Sequence, residues 1–212
     1  MGFPIYDYRS DIRNVLVTPQ IRSRFLRMEP GTVASRHSHD LGHEIFLILE
    51  GRVEFTIDDE TGILGPGQMC IALVDQVHQV RVIGDEPMTM YLSVTPHIQP
   101  THTGRTEMDD PLPHSFRPSI NYDVKEDLSI TMETLLDHQV KTTELLAQSA
   151  QSSAETQKAM SILLKKAKAQ GDENIANEAR KAMWESLYPL FKRVYELAEA
   201  WNDFAPRATE PK

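Results

Sequence analysis

Between residues 20 and 96 the chain runs in short apolar or alternating stretches: RFLRM, EIFLILE, VEFTID, QMCIALV, HQVRVI and TMYLSV. They are separated by PG, EG, DDETG, GPG and GDEP, combinations that turn a chain rather than extend it. Strands of this length, punctuated at regular spacing by turns, predict an antiparallel sandwich or barrel. From Pro96 to Pro118 the prolines at 96, 100, 111, 113 and 118 can continue neither a helix nor a central strand. That stretch reads as a linker, or as a strap lying over the barrel.

From Asp123 the period becomes helical. Asp123 and Glu126 stand as an N-cap and its partner three residues on, a capping-box-like start. Gly171 followed by Asp172 reads as a helix stop and a new N-cap. Beyond it Ala176, Ala179, Met183, Leu187, Leu190, Val194, Leu197 and Trp201 recur every three or four residues as one apolar stripe. Pro189 is expected to kink this helix or start a new turn. A first helix over 123–170 would be ~70 Å long against ~48 Å for 172–203, so neither covers the other fully. Its middle offers a thin seam at Ala147, Ala150 and Ala154. The expectation is a helical hairpin packing on a second copy or on the barrel; a break in the Ser-rich middle, giving a three-helix unit, is the alternative. The organisation is therefore a β-barrel over 1–96, a Pro-rich linker or strap over 97–122 and a C-terminal helical region over 123–212.

Composition sharpens that division. Every lysine lies at or after Lys125, and the first 120 residues carry positive charge only on arginine and histidine. The formal charge of −9 over 212 residues argues against a nucleic-acid groove or an anionic membrane surface as partner. No apolar run approaches the ~20 residues needed to span a bilayer, and the first residues lack the plan of a signal peptide. A cytoplasmic location is expected. The single cysteine, Cys70, sits in MCIALV and is expected to be a buried, inert hydrophobe.

Residues 31–51 read GTVASRHSHDLGHEIFLILEG. His37 and His39 are two apart, so on an extended strand both point to one face. Glu44 opens EIFLILE, placed to face them across a short loop, and His78 begins HQVRVI. Imidazoles and a carboxylate converging from neighbouring strands make a borderline-soft N/O site for a divalent first-row metal. On a six-coordinate ion these four leave two positions for substrate, water or O₂. Phe46 and Ile48 share the parity of Glu44 and serve as cavity wall or core. Met69 and Ile71 serve equally well as core, while Gln79 and Arg81 fall on the strand face opposite to His78.

Candidates for acid–base work are few. His43 beside Glu44 points away from it and reads as a surface or supporting residue, with proton shuttle or alternative ligand as the sharper role. His97 and His102, in VTPHIQPTHTG, follow the last strand and enter the site only if that segment folds over the barrel mouth. Glu50 has the parity of Glu44 but lies ~20 Å along the strand.

The spacing resembles that of the cupin superfamily, of the cupin 2 type. Its first motif, Gly, five residues, His-x-His, three or four residues, Glu, six residues, Gly, is matched at every fixed position by Gly31, His37, His39, Glu44 and Gly51. The second, Gly, five residues, Pro-x-Gly, two residues, His, three residues, Asn, keeps Gly67 and His78. Leu73, Asp75 and Val82 stand where the family usually has Pro, Gly and Asn, which bears on the shape of a turn. The resemblance runs from about Arg22 to Val94 and leaves the helical tail unaddressed.

It implies a mainly β fold, a double-stranded β-helix or jelly roll, with an α-helical hairpin behind it. It implies one divalent metal ion, Fe, Mn, Ni, Cu or Zn, on His37, His39, Glu44 and His78. A small-molecule ligand or substrate and pairing as a homodimer follow from the same likeness. The expected function is a metal-dependent enzyme of dioxygenase or isomerase/lyase type. The alternatives are a non-catalytic metal- or small-ligand-binding protein whose tail mediates oligomerisation or partner docking, and a storage or sugar-binding role.

Overall fold

A computed structural model of the chain describes residues 2–208. Met1 and the last four residues of the expected helical region lie outside the described residues. Ten strands come first: β1 (Asn14–Thr18), β2 (Ile21–Met28), β3 (His37–Ser38), β4 (His43–Glu50), β5 (Val53–Ile57), β6 (Glu60–Leu64), β7 (Met69–Ala72), β8 (His78–Val82), β9 (Met88–Thr95) and β10 (Thr103–Gly104). Two helices follow, α1 (Met132–Gln170) and α2 (Glu173–Phe204).

The strands build two antiparallel five-stranded sheets, ordered β1-β2-β9-β4-β7 and β10-β3-β8-β5-β6. Each of the six apolar runs becomes a strand. Alternation decides which face is covered: in β4, Glu44, Phe46 and Ile48 are buried while His43 is exposed. Phe46 and Ile48 join Val53, Phe55, Met88 and Met90 in the core between the sheets. Burying side chains of this size contributes roughly 1.5–3 kcal/mol each.

Two expectations about β7 are corrected. Met69 and Ile71 are 55% and 42% exposed, and Cys70 and Ala72 turn inward instead. The register explains this, since Phe46 faces Cys70 and Glu44 faces Ala72 across β4 and β7, and facing residues share one side of a sheet. Burial then pushes the Cys70 thiol up to about 12, with Glu44 adding to it, so the sulfur stays protonated.

Contacts divide the chain into one unit reaching Asp127 and resuming at Ala205, and a second over Leu128–Phe204. The Pro-rich stretch lies wholly in the first. Its β10 adds to the edge of β3, with Thr103 facing Ser38 and Gly104 facing His37. Asp123 does not cap a helix. It closes a short 3-10 turn over Ser119–Tyr122 in the left-handed conformation, and its carboxylate accepts from the main-chain and side-chain nitrogens of Asn14, both at 2.8 Å. The aspartate is committed to β1, and α1 begins only at Met132. The N-cap is Thr131, whose hydroxyl accepts from Thr134 N.

The second unit is a hairpin of two helices, about 58 Å and 48 Å long at 1.5 Å per residue. The Ser-rich middle of α1 does not break. Gly171 ends α1 in the left-handed conformation and Asp172 caps α2 through Ile175 N. The seam expected at Ala147, Ala150 and Ala154 is solvent-exposed; Thr142, Ser153 and Ala167 are buried in its place. Gln157 donates from the same face to Met183 O at 2.8 Å and to Ser186 Oγ at 2.9 Å. Small and polar residues thus make the seam, which apolar periodicity could not reveal. On α2, Val194 leaves the expected stripe for the surface, where Trp184, Tyr188 and Phe191 lie exposed together. Among the described residues no helix is long and apolar enough to cross a membrane.

Candidate metal centre

β3 is only two residues long, and His37, its first, faces His78 of β8 directly in the register, with the rings 4.3 Å apart. His39 follows immediately. The chain then returns through Asp40–Gly42 to Glu44 on β4, which belongs to the other sheet. That return is tight because Gly42 lies against the end of β9: a Cβ there would sit 2.3 Å from Thr95 O. Asp40 fixes the loop by accepting from Ser38 Oγ at 2.8 Å and from Thr103 Oγ1 at 2.6 Å.

Three imidazoles meet one carboxylate oxygen. Glu44 Oε2 lies 2.8 Å from His39 Nε2, 3.1 Å from His78 Nε2 and 3.7 Å from His37 Nε2. Each ring is held from behind by a main-chain carbonyl: His37 Nδ1 by Ser35 O at 2.9 Å, His39 Nδ1 by Thr101 O at 2.6 Å, and His78 Nδ1 by Gln76 O at 3.0 Å. A carbonyl only accepts, so Nδ1 is the donor in each ring, and a ring with a single proton turns its Nε2 lone pair toward Glu44. Acceptors facing acceptors in a buried space need a cation between them. The donor atoms of His37, His39, Glu44 and His78 lie within 4.8 Å of one another, and the cluster is compatible with a metal ion.

The turn before His78 keeps its shape without the usual glycine. Asp75 adopts φ +65°, its N–H donates to His39 O at 3.1 Å, and Gln76 N closes the turn on Leu73 O. Aspartate is among the few residues other than glycine that enter this region readily.

A cavity of about 520 Å³ opens onto the cluster. His37, Glu44 and His78 line it, and its apolar wall comes from Leu26, Met28, Phe46, Val80, Met90 and Leu92. His102 also lines it, its ring 4.7 Å from both His37 and His39, and burial holds its pKa well below 6.5. The other two histidine candidates lie elsewhere. His43 is exposed and its Nδ1 accepts from Val74 N, and His97 packs edge-on against Tyr122 with its Nδ1 beside Thr101 Oγ1. Arg81 pairs with Glu54 and Gln79 donates to Ala34 O, both away from the cluster as alternation predicts.

The sequence reading passed over two cavity residues, Arg22 and Arg24 of β2. The signal was present: in IRSRFLRM they share parity with Leu26 and Met28, so charge and apolar surface fall on one strand face.

Comparison with known proteins agrees with this geometry. The model of the Cupin domain family matches residues 24–95. Polyketide synthase CurC of Streptomyces cyaneus is 31% identical over 120 residues, which cover 54% of this chain and 73% of that protein. Among solved structures, an uncharacterized conserved protein with a double-stranded β-helix domain from Klebsiella pneumoniae is 21% identical, at a TM-score of 0.46 over 50% of this chain and 100% of that one. A cupin 2 conserved barrel domain protein from Salinispora arenicola is also 21% identical, at a TM-score of 0.38 over 45% of this chain and 88% of its own. With the family's metal-site residues in place on two facing antiparallel sheets, the chain belongs to the cupin superfamily.

Proposed function

We propose that this cupin holds one divalent first-row transition metal on His37, His39, Glu44 and His78, and binds and transforms a small organic molecule in the adjoining cavity. The observation that carries this is the convergence of three imidazole Nε2 atoms on Glu44 Oε2, each ring held at Nδ1 by a main-chain carbonyl. Iron, manganese, nickel, copper and zinc all suit such an N/O set. When bound, the ion supplies Lewis acidity toward a carbonyl or alkoxide oxygen.

The chain's own residues do the rest. The Ser35, Thr101 and Gln76 carbonyls orient the imidazoles and raise their basicity. The apolar wall excludes water from the bound molecule, which strengthens each polar contact there. His102 is held neutral by burial, so it offers the cavity a ring nitrogen as a hydrogen-bond acceptor. A relative named for polyketide synthesis supports a carbonyl-bearing organic substrate, and open positions on such an ion suit a dioxygenase or isomerase/lyase type of reaction.

The test is elemental analysis of protein purified without added metal, beside a His37→Ala/His39→Ala double variant. About one equivalent of a first-row metal, lost in the double variant, is the expected result. Negligible metal in the wild type with no uptake on titration overturns the metal reading and leaves ligand binding or the helical hairpin as the seat of function.

A further inference from the structure

Arg22 and Arg24 bring to the cavity two guanidinium groups that form no ion pair among the described residues. Arg22 is 3% exposed, Arg24 is half-buried, and the Nε of each is buried without a hydrogen-bond partner. Among the described residues no carboxylate lies within ion-pair distance of either. Two other arginines of the cavity are engaged, and Arg117 is exposed: Arg36 forks onto Asp109 at 2.6–2.9 Å, and Arg105 donates to Ser38 Oγ at 2.7 Å. Glu44, the one acidic residue lining the cavity, faces three histidines. Asp123, which acts on Arg24 through space, has Oδ2 bound by Asn14.

An unpaired buried cation is costly, and two side by side repel, so the pair is a poor choice for stability alone. Its placement is specific. Arg22 faces Val94 on β9, and Val94 faces Glu44 on β4, so Arg22 and Glu44 share one face of the sheet two strands, or about 10 Å, apart. Arg24, Leu92 and Phe46 form the next row on that face. The Tyr122 ring lies 5.4 Å from the Arg22 guanidinium and fixes its plane.

We propose that Arg22 and Arg24 form a carboxylate subsite, so that the cavity takes a small organic acid with its acid group on the two guanidiniums and its other end directed toward the His37, His39, Glu44 and His78 cluster. This rests on the metal reading for the role of the far end only. A planar fork of N–H donors matches a carboxylate, and Leu92 and Phe46, in the row of Arg24, offer apolar surface to a hydrocarbon body of a few carbons.

The test is calorimetric titration of the full chain, metal-loaded and metal-free, with hexanoate and benzoate as probes. Hexanamide, benzamide and inorganic phosphate are the controls. Arg22→Met and Arg24→Met variants are measured alongside, with metal content and melting temperature. The acids are expected to bind and the amides and phosphate not. Each variant is expected to weaken the acids at least tenfold with metal content unchanged, and Arg24→Met without ligand to melt at or above the wild-type temperature, because it sheds an uncompensated charge. A merely structural arginine gives the reverse, a lower melting temperature with acid binding intact, and overturns the proposal. Equal binding of acids and amides, tight binding of phosphate, or no binding of acids by the wild type overturns it also. Arginine-dependent acid binding by a chain that takes up no metal supports the subsite while the metal reading fails, so the two are separable.

Discussion

His39 donates its Nδ1 proton to the main-chain carbonyl of Thr101, sixty-two residues further along, at 2.6 Å. A segment that reads as a Pro-rich connector is thereby a working part of the centre, since it sets the tautomer of one candidate ligand. The neighbouring Thr103 ties the same segment to Asp40, in the loop that carries His39. Thr103→Val removes that donor from a largely exposed carboxylate and is expected to cost about 0.5–1.5 kcal/mol of stability. Metal affinity is expected to fall on the order of tenfold, read by competition with a chelator.

His102 approaches two candidate ligands, yet it lies outside the set of four whose donor atoms converge. His102→Ala is therefore expected to retain about one equivalent of metal, whereas His78→Ala loses it. Loss of metal from the His102 variant would falsify the four-donor assignment.

Asp75 holds a left-handed conformation that glycine adopts without strain. Asp75→Gly is expected to be neutral or to stabilise the chain by up to about 1 kcal/mol, and Asp75→Val to destabilise it by about 1–2 kcal/mol. Denaturant midpoints of the two variants, moving in opposite directions, check this; movement in the same direction would show that the turn relaxes.

Gly42 has no room for a side chain against the Thr95 carbonyl. Gly42→Ala must push the ligand loop off the end of β9, at an expected cost of about 1–3 kcal/mol. Melting temperature and metal uptake are expected to fall together. A variant as stable and as metal-competent as the parent would mean that the loop moves freely.

Buried His97 has its pKa pushed down to about 4, first by burial and then by Arg22 and His39. Unfolded, it titrates near 6.5. Between these values the unfolded chain binds the extra proton, so stability falls as pH drops from 6.5 toward 4 and this contribution changes no further below. Wild type is expected to lose up to roughly 3 kcal/mol across that window from this residue. His97→Gln should show a flatter profile over the same range, and parallel profiles would refute the assignment.

The barrel strands were legible because each has one covered face, and the resulting alternation survives in the letters. The clustering of His37, His39, Glu44 and His78 was legible because its spacing is fixed by the strand geometry that presents it. β6 was read as a turn because ETGIL lies at a sheet edge with little buried surface to pattern it. The helical seam escaped for a related reason: Thr142, Ser153 and Gln157 pack by size and hydrogen bonding, which hydropathy does not register. Arg22 and Arg24 were overlooked because charge on a strand is ordinarily read as solvent-facing. Only the parity they share with Leu26 and Met28 says otherwise.

Glu44 and the three histidines belong to opposite sheets of the barrel. An ion shared by all four would clamp the sandwich and would bind the folded chain far better than the unfolded one. Folding free energy then rises with the logarithm of free metal. Copies made during scarcity open more often and meet proteases sooner, which would couple the abundance of this protein to the supply of its own ion.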